Sequence, residues 1–408
     1  MVSERHITMN RQHSLVIVSK ALAPYRVRFY SEVAKALNPH GWEVTLVVAT
    51  LGAKDHPWSD PGLNGGSLKI VGAGAQSGPS RMQKLADHLA KLLGKGDVEI
   101  PNLTLLKALE ERNADVVWTH EYSPFCLAAS LWAAFRDRGS ILSTDLGSNP
   151  PKHSCTPGQL RFQKAVSFLY EGVIANTKEA TRRNHPDGAP VIFAPHAIDT
   201  DQYLPAATGR EPLRFRFLFT GGIRQEKGIV EVIEAGRLLA REGYDFEIRA
   251  VGTGPLSEWL ANQTDPWLSI GGFVEGAALC REYREADVYV LPTEGDTYAV
   301  TVHEAAASGL PLIVGKTAGA VETLVEEGVS GFAIDPHNIP ELASRMRELL
   351  DDRPRARSMG IHARELAELW DVKLLGKRTA DFVLKLSSGT IRSQTRADVN
   401  PPLEIGSE

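Results

Sequence analysis

The stretch of residues 286–311 constrains the fold more than any other part of this sequence. It begins with Ala-Asp-Val-Tyr-Val-Leu, a short apolar run that predicts a buried strand. A polar loop follows, and Val300 to Ser308 then consists of helix formers that stop at Gly309-Leu310-Pro311. The free amides and positive dipole end of such a helix form an anion site. Glu304 lies one turn behind that site, where a carboxylate accepts hydrogen bonds from sugar hydroxyls. The pattern therefore indicates a nucleotide-sugar site, whereas the alternative is an ordinary strand–loop–helix unit with two surface acids.

The composition sets bounds on the rest of the molecule. A chain of 408 residues is expected to form about two domains. The net charge of −5 argues against nucleic acid as a general partner. Cys126, Cys155 and Cys280 are far apart and odd in number, so they predict neither a zinc site nor a disulfide framework. Residues 1–13 lack the apolar core of a signal peptide, and no apolar run approaches the ~18–20 residues that span a bilayer. These features predict a cytoplasmic location.

Two successive series of strands and helices predict an α/β protein. A strand, a turn, a helix and a second strand follow one another over residues 15–49, which implies a parallel sheet. The alternation of strands and helices begins again at Phe215, after a linker at residues 204–212 that is rich in Pro, Gly and Ala. The first turn has no Gly-x-Gly-x-x-Gly, so a dinucleotide-binding domain loses its main support. Residues 51–79 are expected to form a long loop, and residues 81–93 an amphipathic helix.

A second candidate site lies in Gly221-Gly-Ile-Arg-Gln-Glu-Lys-Gly228. Its glycines allow the backbone to approach a ligand closely. Lys227 supplies a point charge that suits a phosphate. A glycine turn is often purely structural, but this one precedes the acidic stretch by about 70 residues.

Together the two stretches resemble the retaining GT-B glycosyltransferases of family 4. Lys227-Gly228 matches the Glu-Lys-Gly of that family's phosphate loop, and Glu304-Ala305 with Gly309-Leu310-Pro311 matches its acidic motif. The resemblance is specific over about residues 190–335 and loose before them. It implies two Rossmann-like domains that face each other across a cleft. The first of the family's two glutamates falls at Asp296.

Two further positions also depart from the family. Gly222 stands where the family has Arg, and the nearest arginine is Arg224; Ala299 stands where the family usually has Gly. Whether Arg224 replaces the missing cation stays open at this point. Asp199 and Asp201 match the metal-binding Asp-x-Asp of another transferase fold, a match we discount because it lies at the domain junction.

The resemblance assigns roles to residues on both sides of the cleft. Four residues would stabilise the leaving group or hold the donor: Lys227, Arg224, Asp296 and Glu304. Other donor-binding candidates are Gly221, Gly222, Thr297, Tyr298, Ala299, Val300, Thr301 and Phe273. On the acceptor side the candidates are Tyr25, Arg26, His120 and Asp145, with a structural histidine as the alternative for His120. No metal ligand and no cofactor is expected.

The predicted domains are an acceptor-side domain at residues 1–204 and a donor domain at 205–372. A helix at 373–387 is expected to cross back to the first domain, and residues 388–408 to be a disordered tail. Basic residues of the first domain predict peripheral contact with the inner face of a membrane, with a fully soluble enzyme as the alternative. These residues are Arg26, Arg28, Arg81, Lys84 and Lys91.

The implied function is the transfer of a sugar from a nucleotide-diphosphate sugar to a glycan or lipid-linked acceptor, with retention and without a metal. Bacterial surface polysaccharide or glycolipid synthesis would be its setting. Two alternatives stay open: a nucleotide-sugar epimerase or hydrolase, and a non-catalytic nucleotide-sugar-binding partner. The sequence does not identify the base, the sugar, the acceptor or the oligomeric state.

Overall fold

The computed structural model describes residues 12–21, 23–50, 67–72, 103–145, 157–182, 188–206 and 214–391. Within these ranges the chain forms two parallel sheets, one in each half, with helices packed on them. This confirms the predicted α/β class with two Rossmann-like domains. The predicted helix at 81–93 lies outside the described residues, as does the predicted tail beyond residue 391.

The first half contains seven described strands, all of them parallel, in the order β3-β2-β1-β4-β5-β6-β7. The elements are β1 (His13–Ala21), α1 (Pro24–Leu37), β2 (Trp42–Thr50), β3 (Leu68–Gly72), α2 (Leu103–Glu111), β4 (Val116–His120), α3 (Pro124–Phe135), β5 (Gly139–Thr144), α4 (Pro157–Val166), β6 (Gly172–Ala175), α5 (Lys178–Arg182) and β7 (Val191–Phe193).

The second half repeats the same topology with six described strands in the order β10-β9-β8-β11-β12-β13. The elements are β8 (Phe215–Thr220), α6 (Ile229–Arg241), β9 (Phe246–Val251), α7 (Ser257–Ala261), β10 (Leu268–Gly271), α8 (Gly276–Arg284), β11 (Val288–Leu291), α9 (Val300–Ala307), β12 (Leu312–Gly315), α10 (Val321–Leu324), β13 (Gly331–Ile334), α11 (Ile339–Asp351), α12 (Arg353–Leu369) and α13 (Val372–Ser387).

The strand order explains where a site can form. In each sheet the order reverses between the first and the fourth strand, β1 and β4 in one half and β8 and β11 in the other. Ligands of open α/β sheets bind outside the carboxyl ends of the strands at such a reversal. The two motifs found in the sequence, residues 221–228 and 292–304, directly follow β8 and β11. The sheet therefore brings together two loops that lie about 70 residues apart in sequence.

The last helix joins the two halves. Helix α13 packs against α1 so closely that a β-carbon at Gly376 would lie 2.7 Å from the Cβ atom of Glu32. At its start, the backbone amide of Val372 donates to the carbonyl of Ile198 over 2.9 Å. The segment after the second domain thus returns to the first domain beside the junction. No described helix is long and apolar enough to cross a membrane.

One expectation about the first half is wrong. Residues 51–79 were expected to be a loop, but Leu68–Gly72 form strand β3, which pairs with β2 over five residues. The segment is short and flanked by glycines, so its composition hides a strand that is stabilised by pairing with β2 rather than by local propensity.

Candidate active site

The phosphate loop begins at the end of β8, where its glycines leave the backbone open. Gly221 has a φ of +137°, which favours glycine, and a β-carbon there would meet no described atom within 4 Å. The side chain of Arg224 lies over Gly222, because a β-carbon at Gly222 would be 3.3 Å from its Nε atom. The small residue at 222 therefore makes room for an arginine that comes from two positions further along the chain.

The phosphate loop and the acidic loop are held together by backbone contacts. A β-carbon at Gly228 would lie 2.3 Å from the carbonyl oxygen of Pro292. The carbonyl of Glu226 accepts hydrogen bonds from the Thr293 hydroxyl and from the Glu294 amide, each over 2.9 Å. The two loops thus form one rigid unit, and their spacing does not depend on a ligand.

Lys227 and Asp296 form an ion pair across this unit. Their side chains are 23% and 22% exposed, so both groups can reach a ligand in the cleft. The other carboxylate oxygen of Asp296 accepts a hydrogen bond from the amide of Ala299 over 2.9 Å. The shorter acid at position 296 is therefore bound within its own loop as well as to the lysine.

The acidic loop turns sharply where it enters α9. Ala299 has a φ of +68°, in the left-handed region that glycine adopts at little cost. Its amide is bonded to Asp296, so it is not one of the amides left for an anion. Among the described residues, the amides of Tyr298, Val300 and Thr301 have no hydrogen-bond acceptor. Tyr298 itself is buried, so a ligand could meet its backbone but not its ring.

Glu304 lies one turn into α9, and its carboxylate is bound by two tyrosines. The hydroxyl of Tyr203 donates to Oε1 over 2.9 Å, and that of Tyr283 donates to Oε2 over 2.7 Å. Burial raises the pKa of Glu304, and these two hydrogen bonds oppose that rise. The carboxylate is thus partly enclosed by its own domain and by Tyr203, the residue just before the linker.

Asp145 is the centre of the acceptor wall, the side of the cleft that the first domain forms, and it lies at the carboxyl end of β5. Arg26 donates to Oδ2 over 3.3 Å, Asn176 donates to Oδ1, and His196 Nε2 lies 3.1 Å from Oδ1. Burial alone would raise the pKa of this carboxyl, but the imidazoles of His196 and His120 hold it well below its usual range. Asp145 therefore stays a carboxylate at neutral pH.

His120 and Glu121 complete this wall at the end of β4. Glu121 has a φ of +61°, and its carboxyl accepts hydrogen bonds from the Asp145 amide and from the Thr144 hydroxyl. Burial, with the charge of Asp145 next in importance, raises the pKa of Glu121 to about 8. Burial and the charge of Arg26 lower the pKa of His120 to about 4, so this imidazole is neutral.

The two walls meet at His196. The centroid of its ring lies 5.4 Å from that of Tyr25 in the first domain and 5.5 Å from that of Tyr298 in the second domain, and both contacts are edge-on. The charge of Asp296 is close enough to contribute to the raised pKa of Tyr25, whose main cause is burial. The structure thus brings three of the four acceptor-side candidates, Tyr25, Arg26 and His120, into the lining of one pocket, and the fourth, Asp145, contacts Arg26 and His196 of that lining. The polar lining of this pocket is Tyr25, Arg26, Tyr30, His120, Ser143, Asn176 and His196.

Three other predicted residues lie elsewhere. Asp199 pairs with Arg28 over 2.7 Å, and Lys373 pairs with Asp201 and lies 3.6 Å from the other oxygen of Asp199, so basic side chains already hold both carboxylates. Phe273 follows β10, two strands away from β8, with an exposed ring. Its role in donor binding stays a prediction.

The sequence reasoning missed five residues of the site. Asn176 and His196 follow the strands β6 and β7, and Glu121 follows β4. A polar residue at the end of a buried strand was the available signal for these three. For Tyr203 and Tyr283 no local signal exists, because an aromatic residue beside a linker or in an amphipathic helix usually packs in a core.

Comparison with known families agrees with this geometry. The family model described as glycosyl transferases group 1 matches residues 214–352, which include both donor motifs. The sulfoquinovosyl transferase SQD2 of Arabidopsis thaliana is 32% identical over 188 residues, 43% of this chain and 36% of that protein. A GDP-mannose-dependent alpha-(1-6)-phosphatidylinositol monomannoside mannosyltransferase of Mycobacterium tuberculosis is 29% identical over 223 residues, 48% and 56% of the two chains. The chain thus spans about a third to a half of the length of these curated relatives.

A solved structure extends the likeness to both domains. The structure of Anabaena Alr3699/HepE in complex with UDP superposes with a TM-score of 0.68 at 16% identity. The alignment covers 91% of this chain and all of that chain. At this identity the match shows the fold alone, and it confirms the predicted two-domain GT-B architecture.

Proposed function

Because this chain has the GT-B fold and its second domain belongs to the glycosyl transferases group 1 family, we propose that it is a retaining, metal-independent glycosyltransferase. Its donor is a nucleotide-diphosphate sugar, and its acceptor is a glycan or a lipid-linked glycan of a bacterial surface polysaccharide or glycolipid. The names of both relatives support a sugar transferase, and that of the phosphatidylinositol monomannoside mannosyltransferase supports a glycolipid acceptor.

The observation that carries the proposal is the joint position of Lys227, Arg224 and the first amides of α9. Cleavage of the donor leaves a diphosphate whose negative charge must be stabilised. Lys227 and Arg224 provide two cations at one end of a rigid loop unit, and the amides of Val300 and Thr301 point from the helix start. Lys227 exchanges the Asp296 carboxylate for the phosphate when the donor enters. Such preorganised donors are typically worth ~3–4 kcal/mol each in the transition state.

The remaining groups bind the ribose, the donor sugar and the acceptor. Glu304 accepts hydrogen bonds from the ribose, and Asp296, once released from Lys227, accepts them from the donor sugar. On the other wall, Asp145 and its partners Arg26 and His196 present charged and polar atoms to the acceptor. The route is front-face attack, in which the acceptor hydroxyl bonds to the anomeric carbon on the side from which the diphosphate leaves and gives its proton to the departing diphosphate. Retention by this route requires neither a protein nucleophile nor a general base.

The direct test is a calorimetric screen of UDP-, GDP-, ADP- and TDP-sugars, followed by turnover with a lipid-linked acceptor extract. Tight binding and acceptor-dependent release of the nucleoside diphosphate are the expected results. Sugar release or isomerisation without an acceptor would instead favour an epimerase or hydrolase. Binding without turnover under any acceptor condition would favour a non-catalytic partner.

Turnover is expected to survive chelation. Among the described residues, His120, Glu121 and Asp145 each place one ligand atom within 4.8 Å of the others. However, Arg26 already balances the charge of Asp145, and Glu121 already accepts two hydrogen bonds. Initial rates with and without EDTA measure this. Complete loss that manganese restores would refute metal independence and direct attention to this group, or to Asp199 and Asp201.

The membrane part of the proposal now depends on Arg81, Lys84 and Lys91, which lie outside the described residues. Arg26 and Arg28 are bound to Asp145 and Asp199, so they do not offer free charge to a lipid surface. We expect flotation with anionic vesicles at low salt, with about 1 kcal/mol gained per basic residue near the surface. Binding should weaken with salt and fall when the three residues become Glu. Absence of binding to anionic vesicles at low salt would contradict the membrane location.

A further inference from the structure

A chain of buried hydroxyl groups connects the two donor motifs behind the ligand face. Tyr283, on α8, is fully buried, and its hydroxyl donates to Oε2 of Glu304 over 2.7 Å. The same hydroxyl lies 2.8 Å from the Oγ1 atom of Thr220. Thr220 is the last residue of β8 and directly precedes the glycines of the phosphate loop. One tyrosine hydroxyl therefore touches both the acid of α9 and the root of the phosphate loop.

The direction of these hydrogen bonds follows from the chemistry of the groups. An ionised carboxylate only accepts, so the single proton of the Tyr283 hydroxyl is committed to Glu304. The Thr220 hydroxyl must then be the donor in its contact with Tyr283. Tyr289 adds a parallel link, since its hydroxyl lies 2.8 Å from Oγ1 of Thr301 and 3.2 Å from the carbonyl of Thr220. Hydrogen bonds arranged in such a series strengthen one another in a low-dielectric interior.

Glu304 retains capacity for a ligand in spite of its two tyrosines. Each carboxylate oxygen can accept two hydrogen bonds, and each has received one, from Tyr203 or Tyr283. Each oxygen therefore retains the capacity for one further hydrogen bond. Two neighbouring hydroxyl groups, such as those of a ribose, can therefore bind to a carboxylate whose rotation is already prevented.

We propose that Tyr283, assisted by Tyr203, is a positioning residue that fixes the Glu304 carboxylate for the ribose hydroxyls and links it to the phosphate loop through Thr220. The inference rests on the proposed function, because it takes Glu304 as the ribose ligand. It assigns a task to two tyrosines that neither motif contains. Tyr283 does not touch the substrate and acts only through Glu304.

A positioning role has a consequence for pH that a packing role lacks. Burial raises the pKa of Glu304, and the hydrogen bonds from Tyr283 and Tyr203 act against that rise. Within the described part of the chain, the other titratable groups that face Glu304 are Cys280 on α8 and Tyr289 on β11; burial raises the pKa of both, so both are neutral at working pH. Removing the Tyr283 hydroxyl should therefore raise the pKa of Glu304. The loss of donor binding on acidification should then begin at a higher pH.

The test is calorimetry of Tyr283→Phe between pH 5 and 8 with UDP-glucose, GDP-mannose, ADP-glucose and TDP-glucose, whose diphosphate diesters do not titrate in that range. We expect about 3- to 10-fold weaker binding at pH 7.5, as for the loss of one buried hydrogen bond. We also expect the acid limb of the affinity profile, the pH range over which acidification weakens binding, to move to higher pH. Glu304→Gln should remove that limb. Tyr244→Phe is the matched control, because its hydroxyl bonds to Asp351 on the surface and does not contact Glu304.

The outcomes separate the two proposals. If the wild-type chain binds none of the four nucleotide sugars, the proposed function and this inference both fail. If it binds one of them and Tyr283→Phe changes affinity equally at every pH, or not at all, the positioning role alone fails. Should Tyr283→Phe lose its far-UV circular dichroism, the same pH series on Tyr203→Phe decides in its place, because Tyr203 lies at the edge of the domain and is partly exposed.

Discussion

Replacement of Lys227 by alanine is expected to lower turnover at least ~100-fold, since removing one preorganised donor to a developing charge typically costs ~3–4 kcal/mol. The loss should fall mainly on kcat, because the negative charge of the diphosphate increases as the bond to the sugar breaks. Fold stability should change little. The pair with Asp296 is about one-fifth exposed on each side, and the Ala299 amide continues to bind the Asp296 carboxylate when the lysine is removed.

The matched control for this variant is Lys69→Ala. Lys69 also forms an ion pair, with Glu43, but on the edge strand β3 of the first sheet and away from the pocket. Turnover and the thermal midpoint are measured for both proteins. A folded Lys227→Ala enzyme that turns over as fast as Lys69→Ala would remove Lys227 from the leaving-group site, and with it the observation on which the proposed function depends.

The position of the donor loops could be predicted from sequence because each structural cue is local. The apolar runs at residues 215–220 and 288–291 are buried strands as expected, and each is followed by polar or glycine-rich residues. A parallel sheet with this strand order then brings the two loops together. The structure also explains why Gly222 departs from the family pattern, since the Arg224 side chain lies in the space that a larger residue at 222 would fill.

The acceptor wall could be predicted only in part. His120 and Asp145 end buried strands, so they were identified as cleft residues. Their partners could not be paired in advance, because Arg26 and Asp145 are 119 residues apart in sequence and meet only in the folded protein, where the start of α1 lies near the carboxyl end of β5. His196 was not identified from the sequence, although it contacts both domains. The pairing of polar residues across a cleft depends on tertiary packing, which the hydrophobic periodicity of a sequence does not specify.

Replacement of Gly228 by alanine is expected to destabilise the second domain by ~3 kcal/mol or more and to lower turnover ~100-fold. Gly228 has a φ of +80°, and a side chain in this region costs roughly 1–2 kcal/mol. The β-carbon would also lie 2.3 Å from the Pro292 carbonyl oxygen, which is backbone and cannot rotate away. The loops must separate, which strains the two hydrogen bonds to the carbonyl of Glu226 and moves Lys227. A displacement near 1 Å in a catalytic site can cost ~10²-fold.

Gly243→Ala separates the close contact from the backbone conformation. Gly243 has a φ of +88°, follows the other end of the same helix α6, and a β-carbon there would meet no described atom within 4 Å. Its replacement should cost only the conformational ~1–2 kcal/mol and leave turnover unchanged. Urea unfolding and initial rates of both variants measure the difference. Equal destabilisation would show that the loops tolerate separation at Gly228, and the rigid spacing of Lys227 and α9 would then have to be maintained by the donor itself.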